Sequence, residues 1–472
     1  MDGSSSLHEP LGRLFARLRT AQRAHIAGYD ERMDLLLRLG QCVRRRRREL
    51  VQAASADFGR RAPLETMGAD VLGTLDQIKH ARSKLQRWML PQPRPINPTF
   101  QPARGEVRYV PLGVVGVIAP WNYPFQLAMV PLVNALAAGN RVMLKPSEFT
   151  PRVSELIARV VAEVFTADQV AVVQGDAETG AAFSRLPFDH LLFTGSTTVG
   201  RQVMAAAALN LTPVTLELGG KSPALVAPDY PIEHAAERIA FGKSFNAGQT
   251  CVAPDYVLVP RASRDDFVRA YLASVQRRYP SIANNPDYTA IINPREAARL
   301  RSWVEDAKAR GVVVHQHAPD GETAAEGLEI VAPTVLLDPP DDALVMQQEI
   351  FGPLLPVKSY DSHDAAIDYI VDRDRPLAFY PFDRDTLRLT RTLDRITAGS
   401  VCVNDVLFQF AQDELPTGGV GASGMGKYRG HDGFLTFSKT MPVMYQSRLN
   451  AAALFDAPYS QLAKRLVDWL VR

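Results

Sequence analysis

A carboxylate and a thiol beside glycine-rich backbone are the residues of this chain best suited to covalent chemistry. Glu217 begins the segment ELGGK, and Cys251 ends the segment GQTC. A thiolate is a strong nucleophile, and an intermediate bound to sulfur needs a base that activates the water removing it. Neighbouring glycines let backbone N–H groups approach a reacting atom. Either residue alone also fits a structural role, so the pair has to be judged with the rest of the chain.

The two segments together resemble the aldehyde dehydrogenase superfamily, in which ELGGK carries the general base and GQTC the nucleophile. The resemblance continues as an ordered series of motifs from about residue 110 to about residue 442. The segment CVAPDY, which starts at Cys251, resembles the corresponding sequence in the class 3 and coniferyl aldehyde dehydrogenase branch. The resemblance implies that Cys251 attacks an aldehyde to form a thiohemiacetal and then a thioester. Glu217 would then activate the water that releases the carboxylic acid.

Asn122 follows a predicted buried strand, where an amide side chain can donate to a developing oxyanion. An asparagine there is also a common turn residue between strand and helix. The resemblance favours the oxyanion role, with the backbone N–H of Cys251 as the second donor. We expect local N–H dipoles, and the charge of a cofactor, to lower the pKa of this thiol from about 8.5.

A turn between a strand and a helix, FTGSTTVG at 193–200, is the candidate phosphate site, because helix N-termini favour anions. It matches the G-S-x-x-x-G turn with which the family binds NAD. By the same resemblance, Lys145 and Glu148 bind the adenosine ribose and Glu349 the nicotinamide ribose. A carboxylate near the adenosine ribose repels a 2′-phosphate, so NAD is expected, with NADP possible. The expected cofactor-binding residues are Trp121, Lys145, Glu148, Gly195, Ser196, Gly200, Leu218, Glu349 and Phe351.

A second glycine pattern, GVGASG at 419–424, matches the G-x-G-x-x-G dinucleotide fingerprint more closely. It is set aside because residues 413–417 before it are not a strand and no acidic residue follows at the required distance. The sequence has no His/Cys cluster with metal-ligand spacing, so no metal is expected.

The elements that must position these residues alternate between short β-branched runs and helices. Strands are predicted at 114–119, 141–145, 170–173 and 190–194, with helices at 125–138 and 152–165. This alternation indicates an α/β fold with a doubly wound parallel sheet. We expect a modified dinucleotide-binding domain with N-terminal helices and a second α/β catalytic domain. A small oligomerisation arm and a tail complete the predicted domains. The predicted ranges are 1–96 and 112–217 for the N-terminal helices and the dinucleotide-binding domain, 218–420 for the catalytic domain, 97–111 and 437–448 for the arm, and 449–472 for the tail.

Composition limits the remaining classes of function. The 472 residues carry a formal net charge of +2, which gives no case for nucleic acid as a partner. Three cysteines, Cys42, Cys251 and Cys402, cannot form a disulfide framework, so a reducing, cytoplasmic compartment is expected. Cys42 and Cys402 are assigned structural roles. No run is long and apolar enough to span a bilayer, and the arginine run at 44–48 favours a solvated helix face over an anion or membrane patch.

Two predictions concern assembly and the tail. The resemblance implies a homodimer, in which a strand near 437–446 pairs with a partner's sheet edge. The tail carries leucines and a tryptophan on one helical side, which is compatible with a soluble or at most peripheral protein.

The substrate prediction depends on aromatic residues. Tyr123, Trp121 and the segment 408–410 are expected to line a funnel, since class 3 relatives accept aromatic and longer aliphatic aldehydes. Thr417 and Gln409 depart from the branch, which usually has an aromatic residue and often a histidine at these positions. Two alternatives stay open: transfer of the acyl group to coenzyme A, which Glu217 argues against, and a catalytically silent homologue.

Overall fold

The computed structural model describes residues 4–317, 319, 325–450 and 456–472. Within these ranges the strands form three sheets of six, seven and three strands. The strands are β1 Gln92–Arg94, β2 Arg104–Pro111, β3 Val114–Ile118, β4 Arg141–Lys145, β5 Val170–Val172, β6 His190–Thr194, β7 Val214–Glu217, β8 Pro223–Val226, β9 Tyr256–Pro260, β10 Val313–Gln316, β11 Thr334–Leu337, β12 Leu354–Tyr360, β13 Ala378–Phe382, β14 Ser400–Val401, β15 Gly424–Met425 and β16 Ser438–Tyr445.

Helices cover both faces of the larger sheets and precede the first of them. A π-helix, Thr66–Leu72, interrupts the N-terminal helices. The α-helices are α1 Ser4–Ala24, α2 Tyr29–Asp57, α3 Pro63–Glu65, α4 Gly73–Met89, α5 Gln126–Ala137, α6 Pro151–Val164, α7 Ala177–Ser184, α8 Thr197–Ala208, α9 Ile232–Ser244, α10 Arg264–Arg278, α11 Pro294–Ala309, α12 Leu344–Gln347, α13 His363–Val371, α14 Thr386–Arg395, α15 Gly430–Thr436 and α16 Gln461–Leu470. None of the helices in the described ranges has an apolar stretch that would reach across a membrane.

The six-stranded sheet has the order β15-β7-β6-β3-β4-β5, and all its neighbours are parallel except β15 and β7. β3 and α5 are buried along their whole lengths, which explains their continuous apolar sequences. The chain runs outward from β3 to β5 and then returns to place β6 on the other side of β3. A crevice therefore forms at the carboxyl ends of β3 and β6, where open α/β sheets bind ligands. The predicted doubly wound α/β fold is confirmed.

The seven-stranded sheet has the order β10-β11-β12-β9-β8-β13-β14 and is parallel apart from β10. β7 belongs to the first sheet, and β8 begins the second sheet after a short connection at 218–222. The glycine-rich segment that starts at Glu217 is thus the link between the two sheets.

The third sheet joins distant parts of the chain. β2 pairs with β1 on one side and over its full length with β16 on the other, from Pro111 opposite Ser438 to Arg104 opposite Tyr445. The ranges 97–111 and 437–448, predicted as an oligomerisation arm, contain β2 and β16, which pair with each other within this chain. The division of the chain into domains stays a prediction, and β15 returns to the first sheet beyond the range assigned to the catalytic domain.

The arginine run belongs to the outer face of α2. Arg45 and Arg46 both bind the Glu163 carboxylate on α6, at 2.5 and 2.9 Å. These contacts agree with the predicted solvated helix face, because both arginines are paired with a carboxylate at the protein surface.

Candidate active site

A groove of about 710 Å³ lies at the carboxyl ends of β3, β4, β6 and β7. Both Glu217 and Cys251 line it, as do the other predicted site residues with the exception of Gly200. Gly200 lies within α8, where an added Cβ would come within 2.6 Å of the Leu218 side chain. Its glycine allows α8 to pack closely on Leu218, which does line the groove. The fold therefore brings the predicted catalytic and cofactor-binding residues to one place.

Glu217 is the last residue of β7 and is only 4% exposed. Burial raises the pKa of its carboxyl to about 8, and the positive charge of Arg429 opposes this shift. Its Oε1 atom has no hydrogen-bond partner among the described residues. A buried carboxyl with a pKa near neutral and a free oxygen has the properties required of a general base.

Cys251 follows a loop with a strained backbone. Asn246, Ala247 and Gly248 all have left-handed conformations, with φ values of 53°, 50° and 73°. The Asn246 amide donates to the carbonyls of Gln249 and Asn122, at 3.0 and 3.2 Å. Non-glycine residues adopt such angles only where surrounding contacts fix them, and this is common at active sites. The loop therefore fixes the thiol relative to the end of β3.

Gln249 anchors the same loop to the segment 290–292. Its side chain is fully buried and donates to the carbonyls of Asn246 and Ala290, both at 3.0 Å. Its Oε1 accepts the N–H of Ile292 at 2.9 Å. Both ends of the amide are therefore used, and the residue before the Thr250–Cys251 pair cannot rotate freely.

The environment of the thiol differs from the prediction that its pKa is lowered. Burial, followed by the neighbouring carboxyls of Glu349 and Glu217, raises the pKa of Cys251 to about 12. The backbone N–H groups of Cys251 and Val252 act in the opposite direction but are outweighed. The prediction was wrong for the protein alone because it counted the dipoles and not the burial and the two carboxyls that converge on the sulfur.

Asn122 lies just beyond β3 and is 3% exposed. Its carbonyl is held by the Asn246 amide, and its side chain lines the groove together with Cys251. The Asn122 position is therefore coupled directly to the loop that precedes Cys251. This arrangement is suited to an amide that donates to an oxyanion formed at the sulfur-bound carbon.

The cofactor side of the groove has features that fit a dinucleotide. Ser196 caps the N-terminus of α8, where its Oγ accepts the N–H of Val199 at 3.4 Å and the helix dipole favours phosphate. Lys145, at the end of β4, donates to Glu148 at 2.6 Å, which places an acidic group beside the groove. Phe351 has a φ of 48° and packs edge-on against Trp121 with ring centroids 5.2 Å apart.

Glu349 is held by groups from the connection between the two sheets. Lys221 pairs with Asp255 and also donates to the Gln348 carbonyl at 3.0 Å. Asp255 accepts the N–H of Ile350 at 2.8 Å, so the peptide on each side of Glu349 is fixed. A Cβ at Gly219 would overlap the Glu349 carboxyl, whose pKa burial raises to about 8. The lysine of ELGGK therefore positions the glutamate of the EIFGP segment.

A buried polar cluster in the N-terminal helices was not foreseen from the sequence. Asp70, in the π-helix, accepts the N–H groups of Phe125 and Gln126, both at 3.0 Å, and pairs with Arg61 at 3.1 Å. Glu65 accepts the N–H of Asn246 at 2.9 Å, and burial raises its pKa to about 7. The only sequence signal is charge within a helical, apolar stretch, since the partners lie far away along the chain.

The same cluster reaches the substrate side through Tyr123. Arg61 lies over the Tyr123 ring at 5.1 Å, and the Tyr123 hydroxyl is 2.6 Å from Thr250 Oγ1. The N-terminal helices thus support Thr250, the residue that precedes Cys251.

Gln409 and Thr417, which depart from the branch pattern, are both buried. Gln409 donates to the Tyr380 hydroxyl at 3.2 Å, and that hydroxyl donates to the carbonyl of Val252. Gln409 is therefore linked through Tyr380 to the residue after Cys251 and does not form an exposed wall. Thr417 Oγ1 has no hydrogen-bond partner in the described part of the chain.

The aromatic residues expected to form one funnel have different surroundings. Trp121 faces the cofactor groove, and Phe410 lies 4.9 Å from the Arg429 guanidinium. Phe408 is 46% exposed and stacks on Phe241 at 5.8 Å, and Tyr123 stacks on Phe245 at 6.4 Å. Tyr123 and Phe408 therefore pack on two phenylalanines, Phe245 and Phe241, that the sequence did not single out.

Comparison with known proteins gives consistent results. The sequence pattern of the aldehyde dehydrogenase family matches residues 18–443. A probable coniferyl aldehyde dehydrogenase of Pseudomonas aeruginosa is 50% identical over 455 residues, which cover 96% of this chain and 94% of the relative. The coniferyl aldehyde dehydrogenase of a Pseudomonas species is 44% identical over 477 residues, covering 100% of this chain and 98% of the relative.

Solved structures agree with the sequence comparison. The substrate-bound AldH of Staphylococcus aureus superposes with a TM-score of 0.91 at 35% identity, covering 97% of this chain and 99% of its own. PnpE in complex with nicotinamide adenine dinucleotide superposes with a TM-score of 0.83 at 28% identity, covering 93% and 90%. Similarity therefore extends over nearly the whole chain in both kinds of comparison.

Proposed function

The chain belongs to the aldehyde dehydrogenase family, and from that premise we propose that it oxidises an aromatic aldehyde of the coniferyl type to the carboxylic acid with NAD. Oxidation of an aldehyde follows from the family. The aromatic substrate is supported by relatives that carry the coniferyl aldehyde name at 44% and 50% identity. The rings of Phe241, Phe245 and Phe408 pack on one another, and a planar substrate could stack on such an aromatic surface.

The observation that carries this proposal is that Cys251 and Glu217 line one groove together with Lys145, Glu148 and Glu349. The nucleophile and the base thus face the same volume as the residues expected to hold the cofactor. Glu148 supports NAD as the preferred dinucleotide, because its carboxylate would repel the additional phosphate of NADP.

The chemistry begins at sulfur. Cys251 first loses its thiol proton to solvent. The thiolate then attacks the aldehyde carbon, and the resulting oxyanion accepts hydrogen bonds from the Asn122 amide and the Cys251 N–H. When bound, NAD supplies the acceptor for the hydride that leaves this carbon. Glu217 then takes a proton from water, the water oxygen attacks the thioester carbon, and the C–S bond breaks to release the acid. Each acyl group leaves the enzyme by hydrolysis.

The test is NADH formation across a panel of aldehydes, with and without coenzyme A. We expect coniferyl aldehyde to exceed medium-chain and long-chain aliphatic aldehydes in kcat/KM, with no dependence on coenzyme A. Cys251→Ala should abolish oxidation and retain NAD binding, whereas Cys402→Ala serves as the matched control. Higher kcat/KM for aliphatic aldehydes would reject the aromatic assignment, and a strict need for coenzyme A would reject hydrolysis.

We also propose that the protein is a cytoplasmic homodimer. Within the described residues β16 pairs with β2 alone, so its other edge is open to a second copy. Three cysteines without disulfides are typical of a reducing compartment. Light scattering at micromolar concentration should give twice the chain mass, and a stable monomer would reject the dimer.

A further inference from the structure

Glu65 is a buried residue of the N-terminal helices whose two carboxyl oxygens both bind distant parts of the chain. It ends α3, immediately before the π-helix, and is 7% exposed. Its Oε1 atom accepts the backbone N–H of Asn246 at 2.9 Å, and its Oε2 atom accepts the Thr289 hydroxyl at 2.6 Å. The two donors lie 181 and 224 positions further along the chain. Glu65 therefore joins the first helices of the protein to the loop that leads to Cys251.

The hydrogen bond to Asn246 matters because of the conformation of that residue. Asn246 is fully buried and left-handed, with φ and ψ of 53° and 32°. A residue other than glycine keeps such angles only where its surroundings fix them. From this conformation the Asn246 side chain donates to the carbonyls of Asn122 and Gln249, at 3.2 and 3.0 Å. The backbone of Asn246 thus sets the position of Asn122 relative to the loop that ends at Cys251.

The hydrogen bonds of Glu65 also close a ring around this loop. Gln249 donates to the carbonyls of Asn246 and Ala290, both at 3.0 Å. Ala290 follows Thr289, and the Thr289 hydroxyl returns to Glu65. The ring therefore passes from Glu65 through Asn246 and Gln249 to the segment at 289–290 and back. Glu65 is the member of this ring that holds the loop from the side of the N-terminal helices.

The chemistry of Glu65 indicates a use beyond filling space. Placing a carboxyl in this position is costly, since burial raises its pKa to about 7. An apolar side chain of similar size would fill the same volume without that cost. It would not, however, accept the N–H of Asn246. A hydrogen-bond acceptor for the left-handed loop is therefore what a glutamate supplies here.

We propose that Glu65 is a positioning residue for the first chemical step, because its bond to Asn246 holds the Cys251 loop and Asn122 in place around the oxyanion. The inference rests on the proposed roles of Cys251 as the nucleophile and Asn122 as an oxyanion donor. In this step the thiol proton has already passed to solvent, and the sulfur forms a bond to the aldehyde carbon. The π-electron pair of the carbonyl moves to its oxygen. The hydride then leaves this carbon for NAD, so the aldehyde is oxidised and NAD is reduced.

Three measurements separate this role from a general contribution to folding. Glu65→Ala leaves the Asn246 N–H without its acceptor, so single-turnover NADH formation should slow by about tenfold to a hundredfold, the effect of a misplacement of about 1 Å. Glu65→Gln keeps a carbonyl oxygen for the same N–H and should restore most of the rate. Alkylation of Cys251 by iodoacetamide forms no oxyanion, so it should not slow in Glu65→Ala.

NADH formation is followed by rapid mixing, with saturating NAD and the enzyme in excess over the aldehyde that has the highest kcat/KM in the panel. Alkylation is followed without cofactor, by mass spectrometry of the peptide that contains Cys251. Tyr288→Phe is the matched control, because Tyr288 precedes Thr289, is fully buried and donates its hydroxyl to the Val331 carbonyl at 2.7 Å. It should lower the urea midpoint and leave the single-turnover rate unchanged.

A double variant covers the case in which Glu65→Ala does not fold. Glu65→Met combined with Thr289→Val removes both partners of one buried hydrogen bond and retains the packing, which is tolerated better than removing one partner. The Asn246 N–H still lacks its acceptor in this variant. Its single-turnover rate should therefore fall as in Glu65→Ala.

Several results would overturn the inference. They are a wild-type single-turnover rate in folded Glu65→Ala, an equal loss of rate in Tyr288→Phe, and an alkylation rate that falls in parallel with NADH formation. A rate in Glu65→Gln as low as in Glu65→Ala would also overturn it, because the hydrogen bond to Asn246 would then not be the cause. Each of these results leaves the proposed function intact. NADH formation by Cys251→Ala would instead remove the nucleophile, and with it both proposals.

Discussion

Replacing Glu217 by glutamine separates the two halves of the proposed reaction. The amide keeps the shape of a side chain that is almost completely buried, but it cannot accept the proton of water. Attack by Cys251 and hydride transfer should continue, so NADH should appear in a burst approaching one equivalent per active site. The steady-state rate should fall by about 10²–10⁴, the usual effect of losing a general base.

The raised pKa of Glu217 also predicts how strongly the rate of hydrolysis changes with pH. With a pKa of about 8, only about one-tenth of Glu217 is ionised at pH 7. Wild-type hydrolysis should therefore rise by nearly tenfold between about pH 6 and about pH 7 and level off above about pH 8. In Glu217→Gln the remaining slow rate should lose this rise, because the titrating group is absent.

The assay is rapid mixing with NAD and aldehyde, followed by mass spectrometry of the intact protein. An acyl adduct on Cys251 should be present after the burst, and NAD titration with thermal unfolding checks that the variant is folded. A folded variant with wild-type steady-state turnover, or one with neither burst nor adduct, would refute the assignment of Glu217.

Three further predictions follow from contacts around the groove. Gln249→Ala leaves several buried backbone groups unpaired, so urea denaturation should show a loss of about 3 kcal/mol or more in the free energy of unfolding, with turnover falling as well. Gly219→Ala places a methyl group against the Glu349 carboxyl, so a fluorescence titration should show NADH binding weakened by about tenfold or more. Gly12→Ala, where the added methyl group meets no atom within 4 Å, is the control and should bind NADH normally. Asp70→Ala leaves the Arg61 cation buried and unpaired and should cost about 3–5 kcal/mol in thermal or urea unfolding, and an unchanged midpoint would contradict the importance of that pair.

The strongly patterned parts of the fold could be predicted from the sequence. The run VVGVI of β3 is buried throughout, and the apolar sequence of α5 is buried on all sides, so periodicity and composition were sufficient. The short strands β14 and β15 gave no such signal, because two residues cannot display a period. Their positions depend on pairing with distant strands.

The sequence predicted which residues form the site but not their burial or their electrostatic surroundings. Motifs placed Glu217, Cys251 and Glu349 near one another, yet no local pattern shows that two carboxyls raise the pKa of the thiol. The left-handed Asn246 and Ala247 were equally hidden, since both residue types usually adopt ordinary helical or extended angles. The burial of the Cys251 thiol and the approach of the two carboxyls arise only when the chain folds. They set the pKa values of residues that the motifs could identify but not characterise.

The pairing of β15 with β7 has a consequence for biosynthesis. The first sheet has its edge at β7 until Gly424 and Met425 leave the ribosome, about 200 residues after Glu217. At typical rates of about 5–20 residues per second, this delay is roughly 10–40 s. For that time the strand carrying the future base has an unpaired edge, which other nascent chains can bind. Chaperone demand during translation should therefore be highest while the second sheet is being synthesised, and a stop codon placed before residue 424 should yield an aggregation-prone product.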